Sequence, residues 1–122
     1  MRLEEQDVVR IIHMTDDAAP TVGSPYGHSV GAWDGETLVV TTTDIDFEWF
    51  DQEGIPQSDA LELVERFTPS ADGYTLDYTV TATDPAIFTE PVVLDRTWIW
   101  VPGEEVHPFE CEWDGSSLRP SE

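Results

Sequence analysis

Trp33-Asp34-Gly35-Glu36-Thr37-Leu38-Val39-Val40-Thr41-Thr42-Thr43 is the stretch that decides the fold. Asp-Gly supplies the positive backbone angles of a tight hairpin turn, and the Thr/Val run behind it is β-branched, which suits a pleated strand. The same grammar returns at Asp72-Gly73-Tyr74-Thr75-Leu76-Asp77-Tyr78-Thr79-Val80-Thr81. There Tyr74, Leu76, Tyr78, Val80 and Ala82 fall on one side, with Thr75, Asp77, Thr79, Thr81 and Thr83 on the other. That period of two marks a strand with one dry face and one wet face. The chain reads as all-β, an antiparallel meander.

Working outward, the alternation predicts strands over 8–14, 28–33, 36–43, 61–68, 74–83, 92–101 and 108–113. One of these is ambiguous. Asp59 could cap a helix, and Glu62 with Arg66 is a good i,i+4 pair. Leu61, Leu63, Glu65 and Phe67 nevertheless alternate, and Pro69-Ser70-Ala71-Asp72-Gly73 follows directly, so a strand is favoured. Residues 44–59 read as a long crossing loop, with a helical turn, that carries aromatics back to the core. About seven strands in meander order predict a barrel-like roll or curved sheet, with a two-layer sandwich as the alternative. A chain of 122 residues makes one domain, 1–122, with 1–7 and 116–122 frayed.

The charge is extreme: 26 Asp and Glu stand against 5 Arg and no lysine, a formal net charge of −21. Phosphate contacts need clustered cations, so nucleic acid is excluded as a partner, and anionic membrane surfaces with it. Two explanations compete. Such a surface suits a saline environment, where charge keeps the protein soluble and salt screens its self-repulsion. A GC-rich genome, which favours Arg over Lys, accounts for the missing lysine equally well. No run approaches the ~20 apolar residues of a membrane span. The start, Met1-Arg2-Leu3-Glu4-Glu5-Gln6-Asp7, is charged where a signal peptide needs an apolar stretch. The chain as given reads as cytoplasmic, and as exported if a signal has been trimmed.

Cys111 is alone, so no disulfide framework or cysteine metal cluster is expected. Flanked by Glu110 and Glu112, it reads as a small buried hydrophobe, since those carboxylates disfavour a thiolate.

Three phrases resemble an uncharacterised bacterial family of small all-β, often exported proteins. They are Tyr26-Gly27-His28-Ser29-Val30-Gly31-Ala32-Trp33-Asp34-Gly35-Glu36-Thr37-Leu38-Val39-Val40, Leu63-Val64-Glu65-Arg66-Phe67 and Asp84-Pro85-Ala86-Ile87-Phe88-Thr89-Glu90-Pro91. The resemblance runs from Tyr26 to about Trp113. This chain departs from the pattern where Glu62 and Glu112 stand in place of histidines, and where Val92 stands in place of a Trp after the Pro. What the resemblance implies is a fold, and it leaves function open.

Candidate chemistry is sparse. His28, Glu65 and Arg96 form one candidate catalytic cluster: Glu65 shares a face with Leu61, Leu63 and Phe67, and Arg96 lies among Leu94, Trp98 and Trp100. A carboxylate on an apolar face must be paired, either as a structural ion pair with Arg96 or Arg66 or as the orienter of a His28 general base. Phe67, Tyr78, Trp98 and Trp100 are the candidate ligand-binding residues. Asp44, Asp46 and Glu48, at i, i+2 and i+4, would aim their oxygens alike in an extended chain, a weak candidate for Ca²⁺ or Mg²⁺ beside a simple solvated edge. His13 and His107 sit alone at strand ends. Gly27-His28-Ser29-Val30-Gly31 fails as a nucleophile elbow because strand residues follow the Ser, and no phosphate-cradling loop is present, so no cofactor is expected.

These features predict a binding or interaction module for a small apolar or aromatic ligand, held among the four aromatics. The alternative is a small enzyme doing proton-transfer or hydrolytic chemistry with His28 and Glu65. A homodimer is expected through an edge strand, the Pro108–Trp113 segment being the foremost candidate, because no lysine is present to blunt an edge.

Overall fold

The Asp34-Gly35 turn forms as the sequence dictates, Gly35 taking a φ of +63° between two seven-residue strands. The structure, a computed structural model, describes residues 1–3, 8–15, 24–51 and 53–105. The chain divides into two compact units, Ile11–Pro102 and a smaller one to which the described parts of Met1–Arg10 and Gly103–Glu122 belong.

In the smaller unit β1 (Arg2–Leu3) and β2 (Val8–Val9) pair antiparallel. The ladder is closed by Arg10 N–H donating to the Met1 carbonyl at 2.6 Å and the Met1 ammonium donating to the Arg10 carbonyl at 2.8 Å. Arg2–Leu3 is thus paired strand where a frayed end was expected.

The larger unit is one open antiparallel sheet. Its strands are β3 (His28–Asp34), β4 (Thr37–Thr43), β5 (Glu62–Pro69), β6 (Thr75–Thr83) and β7 (Val92–Ile99), in the order β3-β4-β5-β6-β7. Neighbours in sequence are neighbours in space throughout, which is a meander. The sheet does not close on itself, and no helix occurs among the described residues. The ambiguous 61–68 segment is a strand because its alternation pairs on both sides, with Val40 opposite Glu65 and Glu65 opposite Val80.

One strand expectation changes. The 8–14 segment is not one strand: Val8–Val9 pairs with β1, whereas His13 makes a separate parallel bridge to Val30 on the β3 edge. Gly31 permits that bridge, because a Cβ there would lie 2.9 Å from both Ile12 Cγ2 and Met14 Sδ. The 108–113 segment, Cys111 and His107 lie outside the described residues, as does 116–122.

Register assigns every strand residue to a face, since opposed residues share one face and successive residues alternate. Ser29, Val40, Thr42, Glu65, Phe67 and Ala82 are buried, and all fall on the same side, here the inner face. Thr41, Val64, Arg66, Thr79, Thr81, Asp95 and Thr97 take the outer face. Buried Ser29 and Thr42 stand opposite each other, with their hydroxyls 2.8 Å apart.

Among its described residues the 44–59 loop contains no helix. It folds back at a Trp49–Pro56 bridge, and Asp51 Oδ1 accepts the Glu53 and Ile55 N–H groups at 3.0 and 3.1 Å. Phe47 and Trp49 remain exposed and are not returned to the core. Phe50 does pack inward, edge to face on Phe88 at 5.1 Å.

Candidate functional site

The aromatic residues singled out from sequence converge. Leu38 faces Phe67, Phe67 faces Tyr78 and Leu76 faces Trp98, so Phe67, Tyr78 and Trp98 occupy the inner face of β5, β6 and β7. Their ring centroids lie 5.1 Å (Phe67–Tyr78), 4.7 Å (Tyr78–Trp98) and 6.2 Å (Phe67–Trp98) apart. Strand spacing of about 4.8 Å sets this distance, and offset rings so placed attract one another beyond their burial. Trp100 N–H donates to the Tyr74 carbonyl at 2.8 Å, and the two rings stand 6.1 Å apart as a second, separate pair.

Burial falls off along this row of rings. Phe67 is buried, whereas Trp98 is 43% and Trp100 60% exposed. Beside them a groove of about 470 Å³ is lined by Pro69, Gly73, Thr75, Leu76, Trp98, Ile99 and Trp100. The lining holds no charged side chain, its polar groups being the Thr75 hydroxyl and the two indole N–H groups. The groove is open, largely apolar and walled in part by indole.

The proposed catalytic cluster is not assembled. Ser29 and Gly31 share the inner face with Glu65, so the alternation puts His28 on the outer face. His28 stacks there on His13, with ring centroids 4.9 Å apart. Glu65, 5% exposed, accepts a hydrogen bond from the Tyr78 hydroxyl at 2.7 Å. Arg96 stands opposite Tyr78, two residue pairs along from the row that holds Glu65, and its Nη1 donates to the Asp95 carbonyl at 2.9 Å. Arg66 is committed elsewhere, 2.9 Å from Asp34 across the outer face. Neither ion pair expected for Glu65 is made; tyrosine takes that place. The His13–His28 contact went unseen in the sequence because the parallel bridge that creates it has no local signature.

The acidic candidates fare no better as a metal set. Asp44 takes a φ of +57°, which breaks the extended run needed to aim Asp44, Asp46 and Glu48 together. They line a cleft of about 400 Å³ with Gln57, Ser58 and Asp59. Among the described residues no three His, Cys, Asp or Glu side chains gather as metal ligands.

A buried, multiply bonded carboxylate escaped the sequence reading. Asp84, 1% exposed, accepts the Ser58 N–H and the Ser58 hydroxyl, each at 2.6 Å, and the Ala86 N–H at 3.2 Å. Burial acts to raise its pKa, but the combined donors outweigh it and hold the carboxyl below its ordinary range. This clamp joins the loop before β5 to the loop after β6.

No family model matches the chain, and neither the curated proteins nor the solved structures contain a match to it.

Proposed function

We propose that the sheet is a binding module that takes a small, flat, largely apolar or aromatic ligand on its inner face against Trp98 and Trp100. The observation that carries this reading is the groove of about 470 Å³ beside two indoles that remain substantially solvent-exposed. Exposed aromatic surface gathered beside a groove is costly to leave in water and commonly marks a contact site. The ring stack supports it further: Phe67 and Tyr78 hold Trp98 from behind, so its orientation is set before a ligand arrives and less ordering is lost on binding. A net charge of −21 selects against anionic ligands, which leaves neutral and cationic ones. Binding is preferred over proton-transfer chemistry because His28 and Glu65 occupy opposite faces.

The test is a titration with neutral aromatic compounds, such as indole and uncharged naphthalenes, in molar NaCl, followed by ligand fluorescence or calorimetry. Saturable binding is expected. Trp98→Ala should weaken it about tenfold, the scale of one well-placed aromatic contact. Trp33→Ala, on an exposed residue at the far edge strand, should leave it unchanged. Absence of saturable binding across the set, or equal loss in both variants, would overturn the reading.

A further inference from the structure

His13 and His28, distant in sequence, are brought together by backbone bonds on both sides of one residue. The His13 N–H donates to the Ser29 carbonyl at 2.9 Å, and the His13 carbonyl accepts from the Gly31 N–H at 2.7 Å. In this parallel register His13 lies opposite Val30 and shares its outer face. His28 precedes Val30 by two positions and so takes the same face. The imidazoles meet there with ring centroids 4.9 Å apart and planes 25° from parallel. Both residues are half-buried.

Stacking uses none of the ring nitrogens. Neither imidazole hydrogen-bonds to a described residue. Among the described residues no buried side-chain nitrogen or oxygen lacks a partner, so these unbonded nitrogens reach solvent. A neutral imidazole always keeps one lone-pair nitrogen, and imidazole is a ligand suited to Zn²⁺, Ni²⁺ and Cu²⁺. As packing, the contact leaves these groups idle. As a ligand pair, it presents one lone pair from each ring at the surface.

We propose that His13 and His28 form a two-imidazole site for a divalent transition-metal ion of the Ni²⁺, Cu²⁺ and Zn²⁺ class, with water completing its coordination. Two imidazoles on one such ion, each nitrogen at about 2.0–2.1 Å and at tetrahedral or octahedral angles, hold their ring centres about 5 Å apart. The observed 4.9 Å meets that spacing. Turning the rings about χ2, a broad torsion in histidine, converts the stack into two lone pairs aimed at one point. The bridge to β3 supplies affinity, because the second imidazole then binds intramolecularly and strengthens the first by about a hundredfold or more. With no third His, Cys, Asp or Glu gathered beside them among the described residues, the site is open and exchangeable rather than structural. The formal charge of −21 gathers cations of every kind, so selectivity falls to the imidazoles, Mg²⁺ and Ca²⁺ preferring oxygen ligands. The site lies on the outer face at β3, apart from the aromatic groove, and does not depend on the ligand reading.

The probe is NiCl₂, titrated calorimetrically into the full chain in excess MgCl₂, which occupies the carboxylates. Saturable uptake of one Ni²⁺ per chain is expected. His13→Ala and His28→Ala should each weaken it about a hundredfold, since either substitution removes the chelate. His107→Ala and Cys111→Ser leave the pair intact and should change nothing. An unchanged circular dichroism spectrum shows that a variant is folded. Should a histidine variant fail to fold, proton NMR of the wild-type chain decides: paramagnetic Ni²⁺ should broaden the His13 and His28 ring signals together and ahead of His107. No saturable Ni²⁺ uptake above the Mg²⁺ background would overturn the proposal. So would a loss confined to one folded histidine variant, an equal loss from His107→Ala, or uniform broadening of the histidine signals.

Discussion

Gly27 shows how one residue fixes where the sheet begins. Its φ is +70°, and a Cβ there would meet the Thr43 carbonyl oxygen at 2.5 Å and Ile45 Cγ1 at 2.7 Å. The first of these is backbone and cannot swing aside. Gly27→Ala therefore adds left-handed strain of about 1–2 kcal/mol to a steric conflict, and a total loss of about 2 kcal/mol or more is expected in urea unfolding. Asp84 is the polar counterpart. Asp84→Asn replaces an acceptor with a donor facing Ser58 N–H, leaving buried groups unsatisfied at a cost of about 1–3 kcal/mol. The pH dependence follows from the sign of the shift. Because folding lowers the Asp84 pKa below 3.8, the carboxylate stabilises the fold fully above that range and less as pH falls through its folded value. The difference in stability between wild type and Asp84→Asn should thus be constant near neutrality and shrink below about pH 3.8. Taking the difference cancels the general relief of repulsion that acid brings to so anionic a chain. A gap that widens on acidification would contradict the sign.

At the level of strands, what could be read from the sequence was whatever is encoded locally. The Asp34-Gly35 and Asp72-Gly73 turns, and the split of Thr from Tyr, Leu and Val along β6, are properties of adjacent residues, and they placed the strands from β3 to β7 to within two residues. The clustering of Phe67, Tyr78 and Trp98 was legible for the same reason, since meander order lays consecutive strands side by side. The site failed where it depended on parity. His28 precedes Ser29 by one position, and in a sheet one position is the whole thickness, so a plausible His28–Glu65 pair became two residues on opposite faces. Glu65's partner was hidden as well, because choosing Tyr78 over Arg96 turns on which side chains reach the buried middle of the sheet. The Tyr78 hydroxyl lies 2.7 Å from the carboxylate, whereas Arg96 is spent at the exposed edge. Tyr78→Phe deletes this donor to a buried acid and should cost about 1–3 kcal/mol, whereas Arg96→Gln should change stability by less than about 0.5 kcal/mol in the monomer. Chemical unfolding of the two variants in low salt decides the matter. A larger loss from Arg96→Gln would restore the ion pair as the feature holding Glu65.

For the molecule as a whole, charge dominates. A formal charge of −21 is spread over a 122-residue chain with only five cationic side chains, and one of them, Arg66, is already paired with Asp34. That pair is 47% and 71% exposed, so it is a screened surface contact whose loss at high salt costs little. Repulsion among the remaining carboxylates is the larger quantity, and screening weakens it as the Debye length falls from about 30 Å at 0.01 M to about 3 Å at 1 M. Net stabilisation by salt follows. The unfolding midpoint should climb between low and molar NaCl and then level off, each kcal/mol regained raising it by roughly 4 °C in a domain of this size. Screening depends on ionic strength and not on the identity of the cation. Tetramethylammonium chloride should therefore raise the midpoint as far as NaCl does, since a bulky cation screens as well as a small one but cannot enter the cleft beside Asp44, Asp46, Glu48 and Asp59. A rise with sodium alone would transfer the effect from the general field to that cleft. A flat or falling midpoint in both salts would remove salt adaptation as the reason for the acidic surface and leave genome composition in its place.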